Sequence, residues 1–465
     1  MSDSWRSSES LPWFSWRLTF LSTSALCSIA LLGPIIGSAV MLACSLFAVC
    51  VLTSAGFAVL TIIVSQVSTL GGLPDTTMFA LKWAVTSVVL VTIAARYSIE
   101  KRSFDLSVDF SERLLIIFAV WCSFCSLFAT HKLTTFAEAL RIGVYPFLVI
   151  VVRETLTTRR HVAFALVGYA LAAIVGAAYS IVDHGGIFGR YSGFAGNANS
   201  YGLYLSFTVP VLAACFFALR PFLLRFFFFC STIVASAALL LSWSRASMLA
   251  VFVQAVTAAI LFKKTKFLAA GAVAAVAILG FAILTPSVRN LATAGLRLQG
   301  GTTHRTVIWD AALDGALKSP IVGYGFGLQV GEVVPHVMWG NWGEAFVFKS
   351  LDSVFMPHNL YLHIALSAGL PGLILFLVLV WTLCRRHIRA GKGAKTSGLR
   401  IANYTIVAMI IGALFNGFFE AAALVGKGAI NNYFWVAVGI VAAYERIEHA
   451  DDNSDAAKAV STRTE

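Results

Sequence analysis

Residues 352–380 read DSVFMPHNLYLHIALSAGLPGLILFLVLV. A polar lead-in passes at His358-Asn359 into a run apolar and long enough to cross a bilayer. Upstream of this junction, Thr285–His358 is rich in Gly, Trp, Arg and His, whereas nearly everything before and after it is hydrophobic sequence broken by short loops. A segment of this kind has no reason to interrupt a membrane domain unless it covers or completes something. We therefore expect it to cap a site at one membrane face, with His358 where a spanning helix enters the lipid. Arg190 and Arg245, far earlier in the chain, are expected to converge on that site.

The 465-residue chain is 58% hydrophobic and 12% charged, half the roughly 25% typical of soluble proteins. Repeated apolar runs specify an all-α polytopic membrane protein with about 12–14 transmembrane helices. Leu18–Val67 holds two long spans or three short ones and is too long for the apolar core of a cleaved leader. Later spans are expected at Met78–Tyr97, Leu114–Phe128, Ile142–Val152, His161–Ile181, Asn199–Phe217 and Pro221–Leu241. Met248–Phe262, Phe267–Leu284, Tyr361–Leu383, Ala402–Phe418 and Tyr433–Tyr444 complete the series. This divides the chain into a transmembrane region (1–284), a large outer segment (285–358), C-terminal transmembrane helices (359–445) and a polar tail (446–465). The tail lacks an apolar period and is expected to be a disordered cytoplasmic end.

The net charge of +12 does not point to nucleic acid, because the basic residues sit in short loops between apolar runs. Lys101-Arg102, Arg153 with Arg159-Arg160, Arg220 with Arg225, Lys263-Lys264 with Lys266, and Arg385-Arg386 with Arg389 fall in alternate loops. Positive-inside bias puts these in the cytoplasm. The opposite face then receives Gly71–Thr77, Thr130–Ala139, Asp183–Ala198, the Ser244-Arg245 turn, Thr285–His358 and Glu420–Asn432. The eight cysteines lie in or at the end of apolar runs, including Cys122-x-x-Cys125. They read as small buried hydrophobes rather than redox or zinc residues.

Three outer segments carry candidate chemistry. DHGGIFGRYSGFAGNA (183–198) surrounds Arg190 with five glycines, which permit tight turns and close backbone approach. Asn197 and Asn199 stand where the next helix needs a cap. LLSWSRASM (240–248) leaves Arg245 in a turn of a few residues with no neighbouring acid; its fork of donors matches phosphate oxygens. GGTTHRTVIWDAAL (300–313) begins an amphipathic helix with His304 and Arg305 at its start and Val307, Trp309 and Leu313 as apolar contacts. Arg305 there lies beside first-turn donors that favour an anion. The following SPIVGYGFG (319–327) follows no strand and reads as a structural turn, not a dinucleotide fingerprint. His358, held between Pro357 and Asn359, can take a proton from a hydroxyl near neutral pH. His304, His336 and His358 are scattered, so no metal site is expected.

Outward arginines with one poised histidine suit a substrate that carries a diphosphate close to the membrane. A polyprenyl diphosphate-linked glycan fits, with its tail in lipid and its phosphates on arginines. It carries its own activation where ATP is unavailable, so no cofactor is expected.

These segments resemble the O-antigen ligases and the related O-antigen and exopolysaccharide polymerases. GRYSGFAGNANSYG (189–202) looks like the family's glycine- and asparagine-rich segment, and LSWSRASMLA (241–250) like its serine-arginine turn. HRTVIWDAALDGALKSPIVGYGFG (304–327) matches the Arg-x-x-x-Trp helix and glycine turn; PHNLYLHIALSAGLPGLILF (357–376) is similar to the His-Asn-x-Tyr-Leu motif. The resemblance implies a C-type glycosyltransferase-like helical fold whose large periplasmic segment covers a cavity. It implies that Arg190, Arg245 and Arg305 contact donor phosphates and that His358 activates the acceptor. Asn197, Asn199, His304, Trp309 and Asn359 join them as expected substrate-binding residues.

Many relatives carry a second His or a Ser near the position of Met356 or Pro357. An acidic residue commonly stands in place of Ala368, so this chain lacks one orienter for its histidine. The expected reaction is transfer of undecaprenyl diphosphate-linked polysaccharide onto a hydroxyl of lipid A-core, inverting and metal-independent, at the periplasmic face of the inner membrane. Polymerisation onto a growing glycan is the alternative reading. A transporter is the contrasting class; it predicts internal repeats, and none is evident.

Overall fold

The computed structural model describes residues 108–129, 132–183, 190–193, 197–264, 266, 305–326, 357–425 and 431–464. The expected spans within 18–97, the span Phe267–Leu284, His304 and most of the outer segment lie outside the described residues. The elements are α1 (Phe110–Cys125, extended by a 3-10 turn Ser126–Phe128), α2 (Lys132–Thr155), α3 (Arg159–Asp183), α4 (Ala198–Ala218) and α5 (Phe222–Leu241). They continue with α6 (Arg245–Leu261), α7 (Arg305–Lys318), α8 (Leu360–Gly393), α9 (Ser397–Asn416) and α10 (Asn431–Thr464).

Seven helices among the described residues are long and apolar enough to cross a membrane, and the apolar α6 is shorter at 17 residues. The all-α, multi-pass architecture therefore holds. Two helices organise the bundle: α9 packs on α4, α6, α8 and α10, and α10 packs on α2, α3, α4 and α9. Lipid tails are as apolar as leucine, so association rests on close fit. Small residues admit it: a Cβ on Gly412 of α9 would overlap Gln254 of α6, and one on Gly439 of α10 would press Val152 of α2. In contrast, α5 turns Phe222, Leu223, Phe226, Ile233 and Leu240 outward at the bundle edge.

The alternation of basic loops holds across the described helices. Ion pairs tie the basic face together: Arg153 to Glu112 at 3.1 Å, Arg446 to Glu154 at 2.7 Å, Arg159 to Glu448 at 3.0 Å and Arg386 to Asp109 at 3.0 Å. Burial alone would raise the Asp109 carboxyl. The Arg386 guanidinium, with hydrogen bonds from Ser111 and the Glu112 amide, outweighs burial and holds it below the ordinary carboxylate range. The starts of α4, α6, α8 and α10 all lie at the opposite face.

Three expectations are corrected. Thr130–Ala139 is not a loop, because α2 starts at Lys132 and extends the short Ile142 span upward by more than two turns. Glu138 and Arg141 interrupted the apolar run in sequence, yet they pair at 2.9 Å along the helix. The tail is helical to Thr464; beyond Ile440 it has no Gly or Pro and is rich in alanine, which favours helix without an apolar face. On α7 the inward residues are Ile308, Ala312 and Ala316, and Leu313 faces out. Its small residues let the helix lie close to Leu362 and Leu366 of α8.

The glycine-rich turn after α7 is structural, as expected. Tyr324 and Gly325 donate backbone N–H groups to the carbonyls of Leu366 and Ser367, and Leu370 donates to Pro320, all at 2.8–2.9 Å. α8 breaks at Gly369 (φ 68°, ψ −178°) to accept this clip. The Trp121 indole donates to the Ala368 carbonyl at 2.8 Å beside it. The cysteines described are buried or half-buried free thiols.

Candidate functional site

Arg190 begins a segment pinned by its backbone to two helices. The Tyr191 N–H donates to the Leu241 carbonyl at the end of α5, and the Gly193 N–H donates to Ser180 Oγ of α3, both at 2.9 Å. Gly193 has φ +52°, and a Cβ there would overlap the Tyr201 ring, so glycine is required. Asn197 caps α4, its side chain accepting from the backbone N–H groups of Asn199 (2.8 Å) and Ser200 (3.4 Å). The expected capping role holds for Asn197 and not for Asn199, which lies in the first turn of α4 with its own N–H accepted by the cap; the Asn199 side chain faces Arg190.

From there a continuous polar chain runs to the histidine. Arg190 Nη2 donates to Asn199 Oδ1 at 2.9 Å, and Arg190 Nε donates to the Ser242 carbonyl at 3.4 Å. Asn199 Nδ2 donates to Glu420 Oε1 at 2.8 Å. The other carboxylate oxygen, Oε2, faces His358 Nδ1 at 3.3 Å. Glu420 has a side-chain exposure of 12% against 40% for His358, so the carboxylate lies beneath the ring and the ring faces out. A carboxylate only accepts, so a neutral ring in this contact carries its proton on Nδ1 and its lone pair on Nε2.

His358 is held in the left-handed region at φ +47°, costly for most residues though more common for histidine. Its neighbours fix it there. Trp309 Nε1 of α7 donates to the Pro357 carbonyl at 2.9 Å. Asn359 caps α8 by accepting from Tyr361 and Leu362 N–H groups at 3.0 and 3.1 Å, and Leu360 N–H donates to Gly417 O at 2.6 Å. Trp309 and Asn359, expected as substrate-binding residues, thus have backbone partners that orient the histidine.

Arg245 is exposed at the first turn of α6, at the same face. Its turn is tied inward: Ser244 Oγ donates to Ser247 Oγ (3.0 Å), which also accepts from Asn416 Nδ2 of α9 (3.2 Å). The starts of α4, α6 and α8 and the end of α9 therefore meet at this point. Arg305 begins α7 at the same face, its side chain outside the described residues. The geometry links Arg190, Asn199, Glu420 and His358 directly and sets Arg245 at the next helix start.

Glu420 is the member of this polar chain that sequence reasoning missed. It is the only carboxylate between Asp352 and Glu445, a signal present in the chain but attached to no motif. It also answers the departure at Ala368. That position lies ten residues beyond His358, about 15 Å along a helix, and its carbonyl is engaged by Trp121. The orienting carboxylate comes instead from the turn after α9.

Residues 230–377 match the family described as O-Antigen ligase. The chain is 33% identical over 118 residues to a protein of Rickettsia felis named "Putative polysaccharide ligase", covering 25% of this chain and 27% of that protein. A like-named protein of Rickettsia prowazekii is 31% identical over 121 residues, again 25% and 27% of the two chains. The chain thus covers about a quarter of the length of these relatives. The matches link it to the broad O-antigen ligase and polymerase group. The family match contains Arg245, Arg305 and His358; Arg190, Asn199 and Glu420 lie outside it.

Proposed function

We propose that the protein is an inner-membrane glycosyltransferase. It moves a glycan from a polyprenyl diphosphate carrier, of the undecaprenyl type, onto a hydroxyl of lipid A-core at the periplasmic face. The observation that supports this reading is the chain His358–Glu420–Asn199–Arg190, which joins an imidazole and a guanidinium in one polar network at a membrane face.

The acceptor hydroxyl gives its proton to His358 Nε2 as its oxygen attacks the anomeric carbon. The bond from that carbon to the carrier's diphosphate breaks on the far side, and the electron pair leaves with the diphosphate. One displacement inverts the centre and needs neither a protein nucleophile nor a metal. Arg190, Arg245 and Arg305 stabilise charge as it develops on the leaving oxygen. Glu420 stabilises the imidazolium, which then gives its proton to solvent at the exposed edge of the ring. The balance is one glycosyl phosphate bond broken, one glycosidic bond formed and one proton moved.

Replacing Arg245 by alanine is expected to lower transfer by about 10²–10³-fold with normal membrane insertion, since its side chain is exposed. Near-parental transfer would remove it from the phosphate site. The function itself is tested by deleting the gene and resolving envelope glycans by gel and anti-glycan blot. Lipid A-core without long chains, with polymer still on the carrier, is the expected result. Loss of polymer with single repeats remaining would establish the polymerase reading, which uses the same donor chemistry. Unchanged glycans would overturn both.

A further inference from the structure

We propose that Asn199 is a positioning residue that makes the orientation of His358 depend on what Arg190 binds. The inference rests on the glycosyl-transfer reading above and adds a coupling between its two halves. A guanidinium only donates hydrogen bonds and a carboxylate only accepts them. A group placed between them must accept on one side and donate on the other, and the Asn199 amide does both. Its orientation is forced: Oδ1 to Arg190 at 2.9 Å, Nδ2 to Glu420 at 2.8 Å.

The three links differ in tightness. The two bonds at Asn199 are at ordinary length, while Glu420 stands 3.3 Å from His358, at the long end for N–H···O. The chain is taut on the arginine side and slack at the base. The backbone at Asn199 cannot move to relieve this, because its N–H is held by the Asn197 cap. Only the side chains can adjust. When Arg190 turns its donors to a diphosphate, the amide oxygen is released and the amide and carboxylate can shift together. That shift closes the slack at Nδ1 and fixes the ring with Nε2 towards the acceptor. Donor binding thereby sets the base, and a hydroxyl arriving before the donor meets a loosely held imidazole.

The test uses the full-length chain in nanodiscs, with carrier-linked glycan from host membranes as donor and lipid A-core from the deletion strain as acceptor. N199L, E420Q, their double variant and H358Q are compared for kcat and donor KM. Asn199→Leu is expected to lower kcat by about five- to tenfold with donor KM within about twofold, and to add nothing once Glu420→Gln is present. A rise in donor KM at unchanged kcat would mean that Asn199 only holds Arg190. Losses that multiply in the double variant would mean that it does not act through Glu420. Either result overturns the coupling while an inactive H358Q leaves the proposed function standing. Transfer by H358Q at the parental rate would overturn both. If N199L fails to insert, N199S, whose hydroxyl is too short to reach both partners, is read by the same criteria.

Discussion

His358→Ala is expected to lower glycan transfer by about 10²–10⁴-fold, the usual contribution of a positioned general base, while donor binding stays within about threefold. The reasons are geometric. His358 is exposed at its outer edge and backed by Glu420, while the donor's phosphates are assigned to arginines on other elements. Removing the imidazole takes away the proton acceptor without removing a phosphate contact. The backbone at φ +47° is a competing source of effect, since alanine tolerates that region poorly. His358→Asn separates the two, because asparagine accepts the left-handed conformation yet has no basic nitrogen. The asparagine variant should be as inactive as the alanine variant, measured by transfer rate and by binding of labelled donor. Equal loss of binding and turnover would assign His358 a structural role instead.

Gly369→Ala is expected to be the most damaging of the conservative substitutions, whatever the protein's chemistry. Gly369 has φ 68° and ψ −178°, a region open essentially to glycine, with a penalty of about 1–3 kcal/mol for other residues. A Cβ would also overlap the Ile321 carbonyl, and backbone cannot swing aside as a side chain can. Relief requires breaking the hydrogen bonds from Tyr324, Gly325 and Leu370 that lock the turn after α7 onto α8. The variant should show much lower yield of folded protein and a reduced Tm in detergent. Gly143→Ala in α2, where a Cβ meets nothing within 4 Å, is the neutral comparison. Equal melting of the two variants would show that the clip contributes little.

What the sequence revealed follows from how local each signal is. Among the described residues, spans and the loops that share a face were legible because hydropathy and loop charge act over single segments; the ion pairs at Glu112, Glu154 and Asp109 tie one such face together. Asn197 was legible as a cap because a cap acts within three residues; that Asn359 caps α8 was not read from the sequence. Arg190 and His358 were singled out for their type and place, and they are joined in space. Glu420 was not found, because its meaning depends on residues 62 and 221 positions away. Trp309 was expected to supply apolar contact and to bind substrate; its indole donates to the Pro357 carbonyl, and only the fold brings those two together. The helical tail was misread because lack of an apolar face was taken as lack of helix.

The position of α10 has a consequence for biogenesis. Tyr433–Ala443 of this helix are almost wholly buried among α2, α3, α4 and α9. A chain inserted in the order of its synthesis places α2 to α4 in the bilayer long before the helix that fills the space between them. Until then Glu154 lacks Arg446, and the Tyr169 hydroxyl lacks the Tyr433 carbonyl to which it donates. Glu420 and His358 likewise emerge more than 150 residues after Arg190. Arginine and histidine are thus joined only in the closing phase of assembly, so a nascent intermediate holds Arg190 before the Glu420–His358 end of the polar chain exists.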